Sequence, residues 1–322
     1  MRSATARARP FPGPNVPKES ESFVKAEAVE HQPLPASFRL GDLFEMIKPG
    51  ITLMVVLTAG LGFLLAGPQG FSFLLLVHTL LGTALVSGGA SVLNQVLEQD
   101  IDARMRRTAG RPLPAGRLGQ DAALLLGVSL AVAGLLELAF AVNLLTALLG
   151  AIALAGYVFV YTPMKRVSSL ATVIGAVPGA IPPMMGWAAV RDQLDPAAWV
   201  LFGILFFWQM PHFLAIAWLC RADYASAGLP MLTVDDPEGT RTARQTVLYG
   251  AVLVPLSLIP SLLGLMGAVY FAGALLLGVA YLVACLYFAG TRSTPGARWL
   301  MLVSILYFPA LLLVMLLDRV LA

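Results

Sequence analysis

Between two long apolar stretches lies residues 94–117, NQVLEQDIDARMRRTAGRPLPAGR, a segment whose side chains suit phosphate and metal chemistry. Asn94, Glu98 and Asp102 stand at i, i+4 and i+8, a spacing that puts three oxygen donors on one face of a helix. Oxygen donors at that pitch suit a hard cation such as Mg2+, which is commonly held by one or two carboxylates together with substrate phosphates. Arg104, Arg106, Arg107, Arg111 and Arg117 follow, and guanidinium forks meet phosphate oxygens in pairs. Acids followed by arginines therefore read as a site for a metal-bridged diphosphate. The spacing equally describes a solvated connection between membrane helices, its arginines setting orientation and its acids balancing charge.

Three further groups are candidates. YTPMKR supplies Tyr161, Lys165 and Arg166 at a helix end, where such residues also serve as interface anchors. Asp223, in DYASAGLPML, places an acid on the same membrane face as Asp102, where it completes a metal cluster or is simply solvated. His212, in WQMPHF, falls near the middle of an apolar stretch, where an ionisable group is costly and turns toward a cavity or a partner. It suits a haem ligand, a proton carrier or a hydrogen bond to a neighbouring helix. Asp235, Asp236 and Glu238 lie in a polar run and are expected in solvent, and His78 is read as packing.

The elements that position these groups are membrane spans. The chain has 322 residues, 58% hydrophobic and 12% charged, with a mean hydropathy of +0.80, more apolar content than a soluble core can hide. Nine runs approach the roughly 20 residues that cross a hydrocarbon core, at about 44–66, 71–93, 121–141, 144–163, 168–190, 197–219, 246–265, 268–289 and 298–317. Their connections alternate between basic and bland. The positive-inside rule then puts the amino-terminal tail and the basic loops, including the two at about 94–120 and 220–245, in the cytoplasm and the carboxyl terminus outside. Residues 1–40, rich in Pro, Glu, Ser and Lys, read as a disordered cytoplasmic tail, leaving 41–322 as one intramembrane domain. Cys220 and Cys285 have no CxxC or Cys/His spacing and are read as packing residues. The formal net charge of +3 gives no support to nucleic-acid binding.

The motifs taken in order, NQVLEQDIDARMRRTAGRPLPAGR, YTPMKR, TVIGAVPGAIPPMMGW, WQMPHF and DYASAGLPML, resemble the UbiA-type intramembrane prenyltransferase superfamily and, within it, the haem O synthase branch. The resemblance covers most of the chain after the tail. It implies an all-α polytopic membrane protein, nine transmembrane helices around a central cavity capped on the cytoplasmic side of a bacterial inner membrane. It further implies transfer of the farnesyl group of farnesyl diphosphate to a vinyl group of haem B, with addition of water, in the service of terminal oxidase assembly and alongside a haem A synthase. On this reading Asn94, Glu98, Asp102 and Asp223 are catalytic and hold Mg2+, while Arg107, Arg111, Tyr161, Lys165 and Arg166 bind diphosphate. His212, Trp208 and Met210 contact haem, and Trp187 joins them in the cavity wall. The sequence departs from the superfamily pattern at Glu98, where Asp is usual, at Ala227, where a second acid is common, and at Ala222 and Ala171. Two alternatives remain: a prenyltransferase of the same superfamily with a quinone-precursor or chlorin acceptor, and a haem-handling transporter that performs no reaction.

Overall fold

The computed structural model describes residues 40–67 and 72–321. The expected tail lies outside the described residues, apart from Leu40, which already opens the first helix. In chain order the helices are α1 (Leu40–Met46), α2 (Pro49–Ala66), α3 (Phe73–Leu97), α4 (Gln99–Asp102), α5 (Gln120–Ala141) and α6 (Leu144–Ala155), which runs through a π turn (Gly156–Tyr161) into α7 (Thr162–Met164). They continue as α8 (Ala171–Ala180), α9 (Pro182–Arg191), α10 (Pro196–Leu219), α11 (Arg221–Ser226), α12 (Leu232–Asp235), α13 (Thr240–Leu262), α14 (Ala268–Thr291) and α15 (Thr294–Leu321). Among the described residues nine helical stretches are long and apolar enough to cross a membrane, in agreement with the expected count. The protein is an all-helical, multi-pass membrane protein.

Boundaries differ where local chemistry overrides hydropathy. The first span starts at Pro49 rather than near 44, because Lys48 adopts φ 48°, ψ 67° and separates α1 from α2. A residue before proline is pushed out of the right-handed helical region, and Pro49 then begins the new helix without needing a donor. The expected fifth span is two helices meeting at Ile181, just before Pro182 and Pro183. In the fourth, Thr162 N–H reaches back to Tyr157 O, one residue farther than an α-helix bonds, immediately before Pro163.

Small residues set the closest approaches. A Cβ on Gly89 would fall 2.7 Å from Ala131 N, and one on Gly134 would fall 2.7 Å from Val86 N, so α3 and α5 pack backbone to backbone. In lipid, where no hydrophobic force draws helices together, such contact supplies the van der Waals attraction. Gly62 and Gly186 do the same for α2 and α9, each facing a backbone carbonyl of the other helix. The largest core cluster gathers α2, the α8–α9 pair, α10, α13, α14 and α15 around Trp187, Trp208, Trp218, Tyr270, Tyr281 and Phe288. A cavity of about 720 Å³ lies among α2, α3, α6 with its π turn, α8, α9, α10 and α15.

Candidate active site

At the charged end of the bundle the three oxygen-bearing residues of the first motif are almost fully buried: Asn94, Glu98 and Asp102 are 1, 5 and 1% exposed. They do not share one helix. Helix α3 stops at Leu97, Glu98 has φ −106°, ψ 11°, and α4 starts afresh at Gln99. Arg166 caps the interruption, donating to Leu97 O at 2.8 Å and so satisfying a carbonyl at the helix end.

Each motif residue has a cationic partner from a different segment. Lys165 Nζ lies 2.9 Å from Glu98 Oε1 and donates to Oε2 at 3.0 Å, leaving Oε1 without a hydrogen-bond partner. Arg111 donates to Asp102 Oδ2 at 2.7 Å. Lys48 donates to Asn94 Oδ1 at 3.1 Å, and the Asn94 amide nitrogen donates to Thr162 Oγ1 at 3.0 Å, which fixes the orientation of the amide. Lys165 also sits 4.5 Å over the Tyr161 ring.

Lys48 is the residue that sequence reasoning missed. Burial, followed by the neighbouring charges of Arg111 and Lys165, pulls its pKa down to about 7 against the opposing pull of Glu98 and Asp102. Those four groups surrounding one ammonium place both arms of the first motif in one pocket with the YTPMKR lysine. The only sequence signal was a cation directly before Pro49, where a span was expected to be already under way. Lys165 responds in the opposite sense: burial opposes its charge, but Tyr161 and Glu98 outweigh that and hold its pKa above the usual lysine range.

The remaining candidates divide. Tyr161 lines the cavity. Arg107 is exposed, and its charge reaches Tyr224, whose pKa is raised by burial and drawn back by Arg107 and Lys165. Arg166 forms a bidentate pair with Asp100, at 2.6 and 3.1 Å, on the exposed side of α4. Burial pushes Asp100 up, and the hydrogen bond and charge of Arg166 more than reverse this. Asp223 is paired with Arg106 at 3.8 Å, their side chains 17 and 92% exposed. Among the described residues no hydrogen bond or ion pair joins Asp223 to Asn94, Glu98 or Asp102. Ala227, where a second acid was looked for, is buried in an apolar seam with Ile101, Met105, Leu229 and Met231 that packs the two loops together.

Four expectations are corrected. Met210 is fully buried and does not line the cavity, and Trp187 is likewise core rather than wall. Asp236 is buried rather than solvated, accepting from Thr242 N at 2.7 Å and Oγ1 at 2.9 Å at the start of α13. His78 is not mere packing: its Nδ1 lies 2.6 Å from Glu137 Oε1, an ionisable contact between α3 and α5.

Among the described residues no group of three or more His, Cys, Asp or Glu side chains is arranged to hold a metal ion. The donors, one amide oxygen and two buried carboxylates, are of the type Mg2+ prefers, and Glu98 Oε1 meets only the Lys165 ammonium, with no directed hydrogen bond.

The cavity that Tyr161 lines is mostly apolar. Its walls include Met54, Val86, Met185, Leu205 and Ile305, with Thr83, Ser87, Tyr157, Gln209 and His212 as polar members. Trp208 lines it too, its ring parallel to that of His212 within 12° and its Nε1–H donating to Ser304 O at 2.9 Å.

Comparison with known proteins agrees with this fold. The chain is 47% identical over 287 residues to a protoheme IX farnesyltransferase from Solibacter usitatus, covering 86% of this chain and 98% of that one. It is 43% identical over 290 residues to the protein of the same name from Koribacter versatilis, covering 87 and 94%. Among solved structures, a digeranylgeranylglyceryl phosphate synthase superposes with a TM-score of 0.74 at 15% identity, over 88% of this chain and 99% of that one. A UbiA homolog from Archaeoglobus fulgidus, bound to GPP and Mg2+, superposes with a TM-score of 0.62 at 17% identity, over 85 and 99%. Since the sequence pattern of the UbiA prenyltransferase family matches residues 55–316, most of the chain, this protein belongs to that family.

Proposed function

We propose that the chain transfers the farnesyl group of farnesyl diphosphate to a vinyl carbon of haem B, yielding a hydroxyethylfarnesyl haem and diphosphate. The observation that carries this reading is a pair of buried acids, Glu98 and Asp102, set among the half-buried cations Lys48, Arg111 and Lys165 and joined to an apolar cavity through Tyr161, which lines it beneath Lys165. The acceptor is assigned from the relatives named for protoheme IX. Lys48, Arg111 and Lys165 bind the diphosphate oxygens and spread the charge that builds as the allylic C–O bond breaks. Asn94, Glu98 and Asp102, with Asp223 from the second loop, would hold Mg2+, which would supply charge neutralisation of the departing diphosphate. The apolar walls hold the prenyl chain extended and keep stray water from the allylic cation. The vinyl group attacks that cation, the new cation takes up one water, and a proton leaves.

Arg166 holds the end of α3 and does not reach the diphosphate in this reading. In this reading the charged end faces the cytoplasm of a bacterial inner membrane, an orientation supported by the basic connections. Purified protein supplied with haem B, farnesyl diphosphate and Mg2+ forms diphosphate and a haem heavier by one farnesyl group and one hydroxyl. Unchanged haem, under conditions that prenylate a quinone precursor, rejects the acceptor assignment.

A further inference from the structure

His212 sits in the cavity wall about 10 Å, seven residues of rise, below the end of α10. Its Nδ1 is 2.7 Å from Ser304 Oγ. Which of the two atoms donates is settled by the hydroxyl's second contact. Ser304 Oγ donates to Met301 O at 2.6 Å, a separation between two oxygens that requires a proton between them. A serine hydroxyl has a single hydrogen, so it accepts from His212, and the imidazole carries its proton on Nδ1.

The lone pair of the neutral ring therefore belongs to Nε2, which makes no hydrogen bond among the described residues. Other contacts fix the ring: Trp208 stacks on it at 5.6 Å and is itself anchored on the backbone of Ser304. Tyr281 OH holds the carbonyl of Trp208 at 2.7 Å. That lone pair is held on a residue that lines the cavity, oriented for a ligand that enters there. Metal-binding histidines share this arrangement, in which a hydrogen bond to one ring nitrogen sets the tautomer and the other nitrogen binds.

We propose that Ser304 is a positioning residue that holds His212 as the Nδ1–H tautomer, so that Nε2 serves as the axial ligand of the haem iron. This rests on the acceptor assignment above and adds to it how the porphyrin is held. The bond formed is a dative one from Nε2 to iron; the ring keeps its proton and no electron is transferred. One helix, α10, then carries the ligand, and α15 carries the residue that orients it.

The test is a titration of ferric haem B into the purified protein without farnesyl diphosphate, followed by absorbance. The wild type gives the spectrum of an imidazole-ligated haem. His212→Ala lacks it while still binding inorganic pyrophosphate like the wild type, which unfolded protein would not. Ser304→Ala binds haem roughly 10- to 100-fold more weakly, Ser304→Thr, which keeps the hydroxyl, binds like the wild type, and inorganic pyrophosphate binds all variants equally. A wild-type spectrum from His212→Ala overturns the proposal, as does equal loss in Ser304→Ala and Ser304→Thr or no loss in either. Haem ligated through His212 but never prenylated leaves this proposal standing and removes the acceptor assignment. Prenylated haem with an unchanged His212→Ala spectrum does the reverse.

Discussion

The two acid-bearing loops pack against each other and are built in opposite ways. In the first, Glu98 and Asp102 are buried and each contacts a cation within 3.0 Å, at distances of 2.9 and 2.7 Å. In the second, Asp223 is more open and meets its arginine at 3.8 Å, and the position of a second acid is an alanine in an apolar seam. A charge taken out of water has to be compensated by specific neighbours, whereas an exposed one is compensated by solvent. The first loop therefore holds its charges in fixed close pairs, and the second leaves Asp223 with one long contact to an exposed arginine.

That contrast can be broken in several ways. Glu98→Gln removes the charge facing Lys165 and should slow diphosphate release on the order of 10²–10³-fold, in protein that still elutes as a folded species; near-wild-type turnover would make the loops equivalent. Ala227→Asp restores the acid of the superfamily pattern but buries it in the seam, and should cost about 3 kcal/mol, read as a lower thermal midpoint. Faster turnover in that variant would instead make the second loop a metal-binding one.

Lys48 supplies a pH test. With its pKa at about 7 it is charged below that pH and neutral above, so pyrophosphate binding measured in EDTA should weaken as pH rises through 7. Lys48→Gln should flatten that limb, and a flat wild-type profile would remove Lys48 from the anion site. The smallest effect is expected from Arg166→Ala, which breaks a largely exposed ion pair worth under about 1 kcal/mol, with turnover little changed.

The nine spans were legible because a hydrocarbon core demands length and apolarity, both visible in sequence. The first motif was legible as a set of residues but not as a shape. From Asn94 to Met105 there is no Gly or Pro to mark a break, and the interruption at Glu98 is capped by Arg166 arriving from 69 positions away to take Leu97 O. Lys48 was hidden for a related reason: its role comes from a left-handed turn that folds it back onto Asn94. The WQMPHF motif pointed to His212 correctly as cavity-lining and to Met210 incorrectly, since adjacent positions on one helix face different ways. Asp236 reads as a loop acid until its capping of α13 is seen. Ser304 carries no sequence signal at all, being one serine within a long apolar helix.

The most direct measurement of the central claim is the rate of haem farnesylation at saturating Mg2+ by Asp102→Asn beside Asp223→Asn. If the buried acid–cation set of the first loop drives departure of the diphosphate, Asp102→Asn falls on the order of 10²–10³-fold while Asp223→Asn keeps roughly a tenth of the rate or more. Equal losses, or a greater loss at Asp223, would contradict it.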